Sequence, residues 1–271
     1  MTQKEKAARF RALHESKDIL LMPNPWDAGS ARLLARTGFT ALATSSSASA
    51  GVLGRRDGQI RRVEALSHAR LIVQATDLPV SADMENGFDA SPAGVAETIR
   101  LAAETGLVGC SIEDFTGDKD KPLYEIELAA ERIAAAAEAA RALPFAFTLT
   151  ARAENFFRGR LDLDDAIKRL VAYEKAGADV LFAPALPDLT AVRSVCAAVG
   201  KPVNFMVGVK GRSHSVAELA GAGVKRISFA STLYRAAMTG LLNAAVEIKD
   251  HGTFTYLDTT LTGPEWNTFL Q

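Results

Sequence analysis

Short apolar runs alternate with stretches of helical spacing along the whole chain, and the alternation occurs eight times. A leading amphipathic segment over about residues 3–15 precedes the first run, DILLMP (18–23), which stops at Asn24-Pro25. DAGSARLLART then carries apolar residues at helical spacing, with Asp27 placed to cap it. The run TALAT (40–44) leads into a small-residue segment, SSSASAGVLGRRDG, expected as a loop before IRRVEALSHARLIVQAT restores a helix. PVSAD (79–83) is the third strand, and Ser91-Pro92 opens its helix with a capping residue followed by proline at the first helical position. LVGCSI (107–112) is the fourth, followed after a polar loop by an alanine-rich helix of about 125–142. In the second half PFAFTLTAR, DVLFAP, KPVNFMV and KRISFA each precede a helix, opening at Asp162, Asp188, Ser215 and Ser231.

These runs are apolar on both faces and rich in β-branched residues, as parallel strands covered by helices require. Eight strand–helix units favour a (β/α)8 TIM barrel over an open doubly wound sheet. The 271 residues fit one such domain, with 250–271 as a C-terminal tail. That tail carries Phe254, Tyr256, Leu257, Trp266 and Phe269, which must pack on their own barrel or on a neighbouring subunit. Glycines in AGAD (176–179) and GAGVK (221–225) suit the left-handed position that closes a helix.

Charge and cysteine usage narrow the function. Lysine plus arginine, 31, nearly balances aspartate plus glutamate, 32, so no net field draws the chain to nucleic acid or to an acidic membrane. A small soluble molecule is the expected partner. Cys110 and Cys196 lie far apart without metal spacing, which points to a reduced, cytoplasmic setting. The N-terminus lacks an apolar export core, and no run approaches the ~18 apolar residues of a membrane span.

In a barrel of this kind chemistry sits where strands end, because the loops there converge on one mouth. Asp83 and Glu85 stand at the end of the third strand with Met84 between them, so strand alternation is expected to send both carboxylates to one face. Glu113 closes the fourth strand. Three clustered carboxylates repel one another unless a cation joins them, and Mg2+ with its waters would satisfy all three; helix capping is the competing explanation for each alone. Arg152 ends the fifth strand, where its planar guanidinium can grip a substrate carboxylate, or else pair with Glu154 or with the acidic cluster. Ser45, Ser46 and Ser47 follow the second strand and can offer N–H groups and hydroxyls to an anion, or form a turn without function. Asn204 faces either the mouth or a neighbouring strand, and Trp26 either walls the pocket or packs in the core. His14 and His68 read as helix-surface residues, and His214 as solvent-exposed.

With these residues in view the chain resembles the isocitrate lyase/phosphoenolpyruvate mutase superfamily. The likeness runs from NPWDAGSARLLARTGF to ISFASTLYRAA, and its most specific parts are TSSSASAGVLGRRDG, ADMENGF, SIED and TARAENF. The resemblance implies a barrel, a Mg2+ or Mn2+ ion, and α-keto or α-hydroxy acid substrates reacting through an enolate. It implies that Asp83, Glu85 and Glu113 hold the metal, directly or through water. By the same likeness the serine segment and Arg152 bind the substrate carboxylate, and Asp57 takes the family's acidic position at the GxRD run. Homotetramers are also implied, with the last helix, here beginning near Ser231, exchanged between subunits.

Three departures stand out. The loop after the fourth strand is the short DFTGDKDKPLY, without the cysteine of family lyases and without most of the mutases' gating loop. Glu85 replaces a common aspartate, and Ala43 a common aromatic. They weigh against cleavage of isocitrate or methylisocitrate. The expected function is a Mg-dependent lyase or decarboxylase of a small keto or hydroxy acid, with proton transfer assigned among Lys119, Lys121, Tyr124 and metal-bound water. A hydrolase of a C–C or C–P bond, and a non-catalytic keto-acid-binding protein, are the alternatives.

Overall fold

The computed structural model of the protein describes residues 1–270. The first helix, α1 (Gln3–Glu15), begins in a reciprocal capping box between Thr2 and Glu5. Eight parallel strands follow: β1 (Leu20–Met22), β2 (Leu42–Ala43), β3 (Val80–Asp83), β4 (Gly109–Glu113), β5 (Thr148–Arg152), β6 (Val180–Phe182), β7 (Val203–Met206) and β8 (Arg226–Ser228). They pair in the order β1-β8-β7-β6-β5-β4-β3-β2. The seam between β1 and β2 is bridged by the Ala43 N–H donating to the Pro23 carbonyl at 3.1 Å, so the sheet closes into the (β/α)8 barrel expected from the alternation.

The covering helices are α2 (Ala28–Arg36), α3 (Ser46–Val52), α4 (Arg62–Ala75), α5 (Pro92–Glu104), α6 (Ile126–Arg141), α7 (Leu163–Lys175), α8 (Leu189–Ala198), α9 (Val216–Gly221) and α10 (Thr232–His251). Their starts follow the sequence signals. Asp27, Ser91, Asp162, Asp188 and Ser215 each accept a hydrogen bond from an N–H of the first turn. Gly177 (φ 104°) and Gly223 (φ 94°) close α7 and α9 in the left-handed region. Gly109 answers a different need, since a Cβ there would lie 2.6 Å from the Thr148 carbonyl oxygen on the neighbouring strand.

Several expectations are corrected. The small-residue segment after β2 is not a loop throughout: Ser46–Val52 forms α3, because alanine and serine in series lack the bulk that opposes a helix and Ser45 leaves β2 extended at φ −133°. His14 is buried, its Nδ1 bonded to the Phe10 carbonyl oxygen at 2.8 Å, rather than lying on the helix surface. His68 is half-buried between the Ser49 hydroxyl (2.9 Å) and the Trp26 carbonyl (2.8 Å). His214 is also half-buried, edge-on to Phe205 with ring centres 6.0 Å apart.

Beyond α10 the chain makes a 3-10 turn, Thr255–Thr259, and a last helix, α11 (Gly263–Thr268). Trp266 of α11 joins Trp26, Leu33 and Leu233 around a cavity of about 400 Å³ against α2, so part of the tail packs on its own barrel. The α10 helix behaves differently. None of its residues is buried, and Leu241 and Leu242 are 63% and 61% exposed. Among the described residues no helix is long and apolar enough to cross a membrane.

Candidate active site

The carboxyl ends of β2 to β5 bring four acids and two arginines to one side of the mouth. Asp83 ends β3, and its carboxylate accepts from the Ser46 N–H at 3.3 Å, the Glu85 N–H at 3.1 Å and, weakly, the Ser111 hydroxyl at 3.5 Å. The strand stops there, so the pleat does not deliver Glu85 to the site as expected. Met84 is fully buried, and Glu85 adopts φ 46°, a left-handed conformation costly for a residue with a side chain. The turn, tied by the Glu85 N–H to Asp83, brings the two carboxyls together instead. The Glu85 carbonyl in turn accepts from the Glu113 N–H at 2.9 Å, locking this turn to the end of β4.

Arg152 at the end of β5 is the hub. Its Nε donates to Glu154 Oε1 at 2.5 Å, and its Nη1 lies 3.3 Å from Glu113 Oε2 and 3.7 Å from Asp83 Oδ2. Of the two readings of Arg152, the ion-pair alternative is the one seen here, with Glu154 and the neighbouring acids as its partners. Arg158, which sequence reasoning missed, reaches Glu113 Oε1 at 3.3 Å and rests over the Phe115 ring at 3.5 Å. Its Nε also approaches Glu154 Oε2 at 2.8 Å, an ion pair too bent to be a hydrogen bond.

The electrostatics of this cluster have clear causes. Burial first, then Asp83 and Asp57, raise Glu85 to about 8. Burial and then Glu154 push Glu113 well above the usual carboxylate range, against the pull of Arg152. Burial opposes the charge of Arg152, but Glu154, Glu113 and Asp83 outweigh it and hold the guanidinium protonated. Asp57 is an exposed residue on the segment after α3; partial desolvation of its carboxyl and then Asp83 raise it, while a Ser46 hydroxyl bond opposes.

A second layer holds the rim, and it too escaped the sequence reading. Arg132 of α6 is 1% exposed and donates to the carbonyls of Glu113 (3.3 Å), Asp89 (3.0 Å) and Asn86, stapling the exits of β3 and β4. Arg169 of α7 pairs with Asp114 at 3.0 Å, and the Tyr173 hydroxyl donates to the same carboxylate at 2.5 Å. A signal existed. Ala129, Arg132, Ile133 and Ala136, like Ala166, Arg169, Leu170 and Tyr173, fall at i, i+3, i+4 and i+7, so each arginine sits inside an apolar stripe.

Other expected residues divide between the mouth and elsewhere. Ser45 and Ser46 are buried at the rim and Ser47 is half-buried. Asn204 is buried and serves its neighbouring strand, donating to the Ser228 hydroxyl at 3.0 Å and accepting from Arg226 Nε at 2.8 Å. Trp26 lies off the mouth, edge-on to Tyr234 with ring centres 5.6 Å apart, lining the cavity shared with Trp266. Lys121 is exposed and pairs with Glu125 at 3.4 Å, and Tyr124 stacks with Arg132 at 4.1 Å behind the rim. Lys119 is exposed as well. The loop carrying both lysines is clipped shut by Thr116, whose N–H bonds to the Pro122 carbonyl at 2.9 Å.

The interior of the mouth is a cavity of about 50 Å³ lined by Asn24, Ser45, Asp83, Ser111, Arg152 and Arg226, among others. A larger concavity of about 710 Å³ opens on the opposite face beside the strand starts, near Thr148 and Pro202. It is not the candidate site, since the acid cluster stands at the strand ends and catalytic groups of such barrels do likewise.

The residues fit a hydrated divalent ion. Among the described residues no group of three or more His, Cys, Asp or Glu side chains is placed to hold a metal ion. Mg2+ does not need one, because it keeps several waters and binds through one or two carboxylates. Glu85 Oε1 is buried without a partner, and the acids around it repel; a hard cation with its waters answers both.

A (β/α)8 barrel with carboxylates and arginines gathered at the ends of β3 to β5 defines a class, barrel enzymes that handle small anions at a charged mouth. Within that class the chain belongs to the phosphoenolpyruvate phosphomutase family, whose model matches residues 10–249. It is 30% identical over 261 residues to a 2-methylisocitrate lyase of Bacillus subtilis (strain 168), covering 93% of this chain and 84% of that one. A solved structure from Burkholderia cenocepacia J2315, described provisionally as a lyase/mutase, is 53% identical, with a TM-score of 0.96 over 98% of this chain and 96% of the other. The structure of 2,3-dimethylmalate lyase, a PEP mutase/isocitrate lyase superfamily member, shares 26% identity with a TM-score of 0.87, covering 98% of this chain and 95% of that one.

Proposed function

We propose that the chain is a Mg2+- or Mn2+-dependent carbon–carbon lyase or decarboxylase of a small α-keto or α-hydroxy acid, working through an enolate. The observation that carries this reading is the acid cluster of Asp83, Glu85 and Glu113 packed against Arg152 at the mouth. Of these carboxylates one or two would hold the ion directly and the rest through its waters. When bound, it supplies positive charge opposite the oxygen on which negative charge develops as the bond breaks. Arg152 orients the substrate carboxylate, and the Ser45–Ser47 segment offers N–H and hydroxyl donors beside it. Asp57, which keeps its proton more tightly than an ordinary aspartate, is assigned proton transfer at the rim. Lys121 points to solvent and is not needed for it. The names of the lyase relatives support this class of reaction.

Working assembly is proposed as well. The whole chain acts as one barrel unit in the cytoplasm, its two cysteines free, within a homotetramer that exchanges α10 between subunits. The bare surface of α10 supports the exchange.

One observation favours a second reading. The rim loop has no thiol, and Cys110 is buried in β4 with its thiol pushed up by burial, so water rather than a cysteine serves the second step in a C–C or C–P hydrolase. Both readings are tested by incubating the protein and Mg2+ with oxaloacetate, 2-methylisocitrate, 2,3-dimethylmalate and phosphonopyruvate while following products by NMR. Cleavage without water incorporation supports the lyase. Acetate plus oxalate, or inorganic phosphate, supports the hydrolase. Asp83→Ala should abolish either activity, and saturable binding of all four acids with no turnover would overturn both in favour of a binding protein.

A further inference from the structure

One cation in the mouth has no use in the scheme above. Arg226, the first residue of β8, is 5% exposed inside the barrel. Its hydrogen bonds go to neutral groups: Nε to Asn204 Oδ1 at 2.8 Å, and Nη1 to Thr150 Oγ1 at 3.1 Å and His14 Nε2 at 3.5 Å. Burial and the neighbouring Arg226 charge hold His14 near 4, so the imidazole is uncharged at neutral pH and adds no second positive charge. Among the described residues Arg226 forms no ion pair. The contrast with its neighbours is direct: Arg152 and Arg169, also buried, each face carboxylates, and Arg132 gives both terminal nitrogens to backbone carbonyls.

A buried guanidinium without an anion is costly to keep, and the cost is removed when an anion arrives. A small space for one, about 50 Å³, is present. Arg226 lines the same cavity as Asp83 and Arg152, with Asn24, Ser111 and Ser228 also on its wall. Its depth differs from theirs, because Arg152 is the last residue of β5 whereas Arg226 is the first of β8. The cavity thus has a charged grip at the rim and another towards the floor, separated by neutral polar groups.

We propose that Arg226 is a deep anion subsite that receives a second carboxylate, carried on the same small acid whose head group is held at the rim, and so sets the preference of this chain for dicarboxylic over monocarboxylic substrates. The inference rests on the keto- or hydroxy-acid reading of the mouth and assigns the group that discriminates within it. Asn204 and Thr150 are positioning residues, fixing the guanidinium by bonds that leave the rest of its donor fork available.

The test compares two stable hydroxy acids of equal length, malate and 2-hydroxybutanoate, which differ only by a terminal carboxylate in place of a methyl group. Calorimetric titration of the full-length protein with Mg2+ should show malate binding at least about tenfold tighter, as a charge-assisted pair requires. Arg226→Gln should bring that ratio to within about twofold. Arg226→Lys, a point charge without the fork, should leave an intermediate ratio and covers the case in which the glutamine variant does not fold. Equal binding of the two acids by the wild type overturns the subsite while leaving the acid-site reading intact. So does an unchanged ratio in either folded variant. Binding of neither acid overturns the acid-site reading, and the subsite with it.

Discussion

Arg152 and Arg158 offset Asp83, Glu85, Glu113 and Glu154 at the rim, and two cations against four acids is a balance that single substitutions upset. Arg152→Met removes the partner of two carboxylates that are almost wholly buried. Breaking a buried pair from one side costs about 3–5 kcal/mol, and urea unfolding should show a loss of that order. A loss below about 1 kcal/mol would mean that solvent already screens the cluster. Glu85 makes a prediction about pH. Its folded value of about 8 lies above the ordinary 4.5, so the native chain holds a proton that the unfolded chain releases. Stability therefore falls as pH rises through that interval and levels off above it, by at most about 1.4 kcal/mol per pH unit. His14, held near 4, acts in the opposite sense only below about pH 6.5, which makes pH 6.5 to 8.5 the clean window. Without metal the melting temperature should drop by a few degrees across it. Mg2+ should raise the melting temperature more at pH 8.5 than at 6.5, because ion and proton compete for the same oxygen. At this scale the acids of the rim and Arg152 were legible in the sequence, and Arg158 was not. The means of convergence was not, since nothing in ADMENGF distinguishes a pleated Glu85 from one turned back at φ 46°.

Helix α3 is the element the sequence misjudged, and it is also the one that orders Asp83. Residues 46–52 are small and weakly apolar, without the stripe that identifies a helix, so only the packed structure decides its state. Its first residue offers a test that leaves the helix intact. Proline is tolerated at a first helical position, and Ser45 already has the extended conformation that a following proline demands. Ser46→Pro removes the N–H that donates to Asp83 at 3.3 Å, together with the hydroxyl facing Asp57. An N–H to carboxylate bond of that length stands at the low end of about 1.5–3 kcal/mol. We expect kcat/KM on the accepted acid to fall about tenfold, with the urea midpoint lowered by no more than the loss of that one bond. Ser46→Ala, which keeps the N–H, should lose less. Equal losses in the two variants would assign the effect to the hydroxyl alone. The starts of α5 and α7 were placed by their capping residues, and α6, read as about 125–142, falls within a residue of Ile126–Arg141. What their periodicity hid was the work of Arg132 and Arg169, whose stripes are apolar apart from one cation each.

At the scale of the molecule the barrel was the most legible feature, because eight repeats of one pattern overdetermine it even where strands shrink to two residues, as β2 does. The outer surface is where a single chain falls short of a stable object. A 20-residue helix with no buried residue gains little from its own barrel, and α10 also exposes Met238, Val246 and Ile248 at 37%, 44% and 41%. Isolated helices depend on tertiary burial of an apolar face, so α10 needs a surface that this chain does not provide. The proposed exchange of α10 with a second copy would supply one and would account for a solvent-facing helix that carries Leu241 and Leu242 side by side. Leu241→Glu combined with Leu242→Glu should then shift the particle seen by analytical ultracentrifugation to a smaller assembly, while the barrel's far-ultraviolet signal persists. The double variant should also unfold at lower temperature, and its melting point, unlike that of the wild type, should no longer rise with protein concentration, since a folded monomer has no assembly for mass action to favour. A wild-type chain that sediments as a monomer, or a variant whose assembly matches the wild type, would place the covering surface of α10 elsewhere.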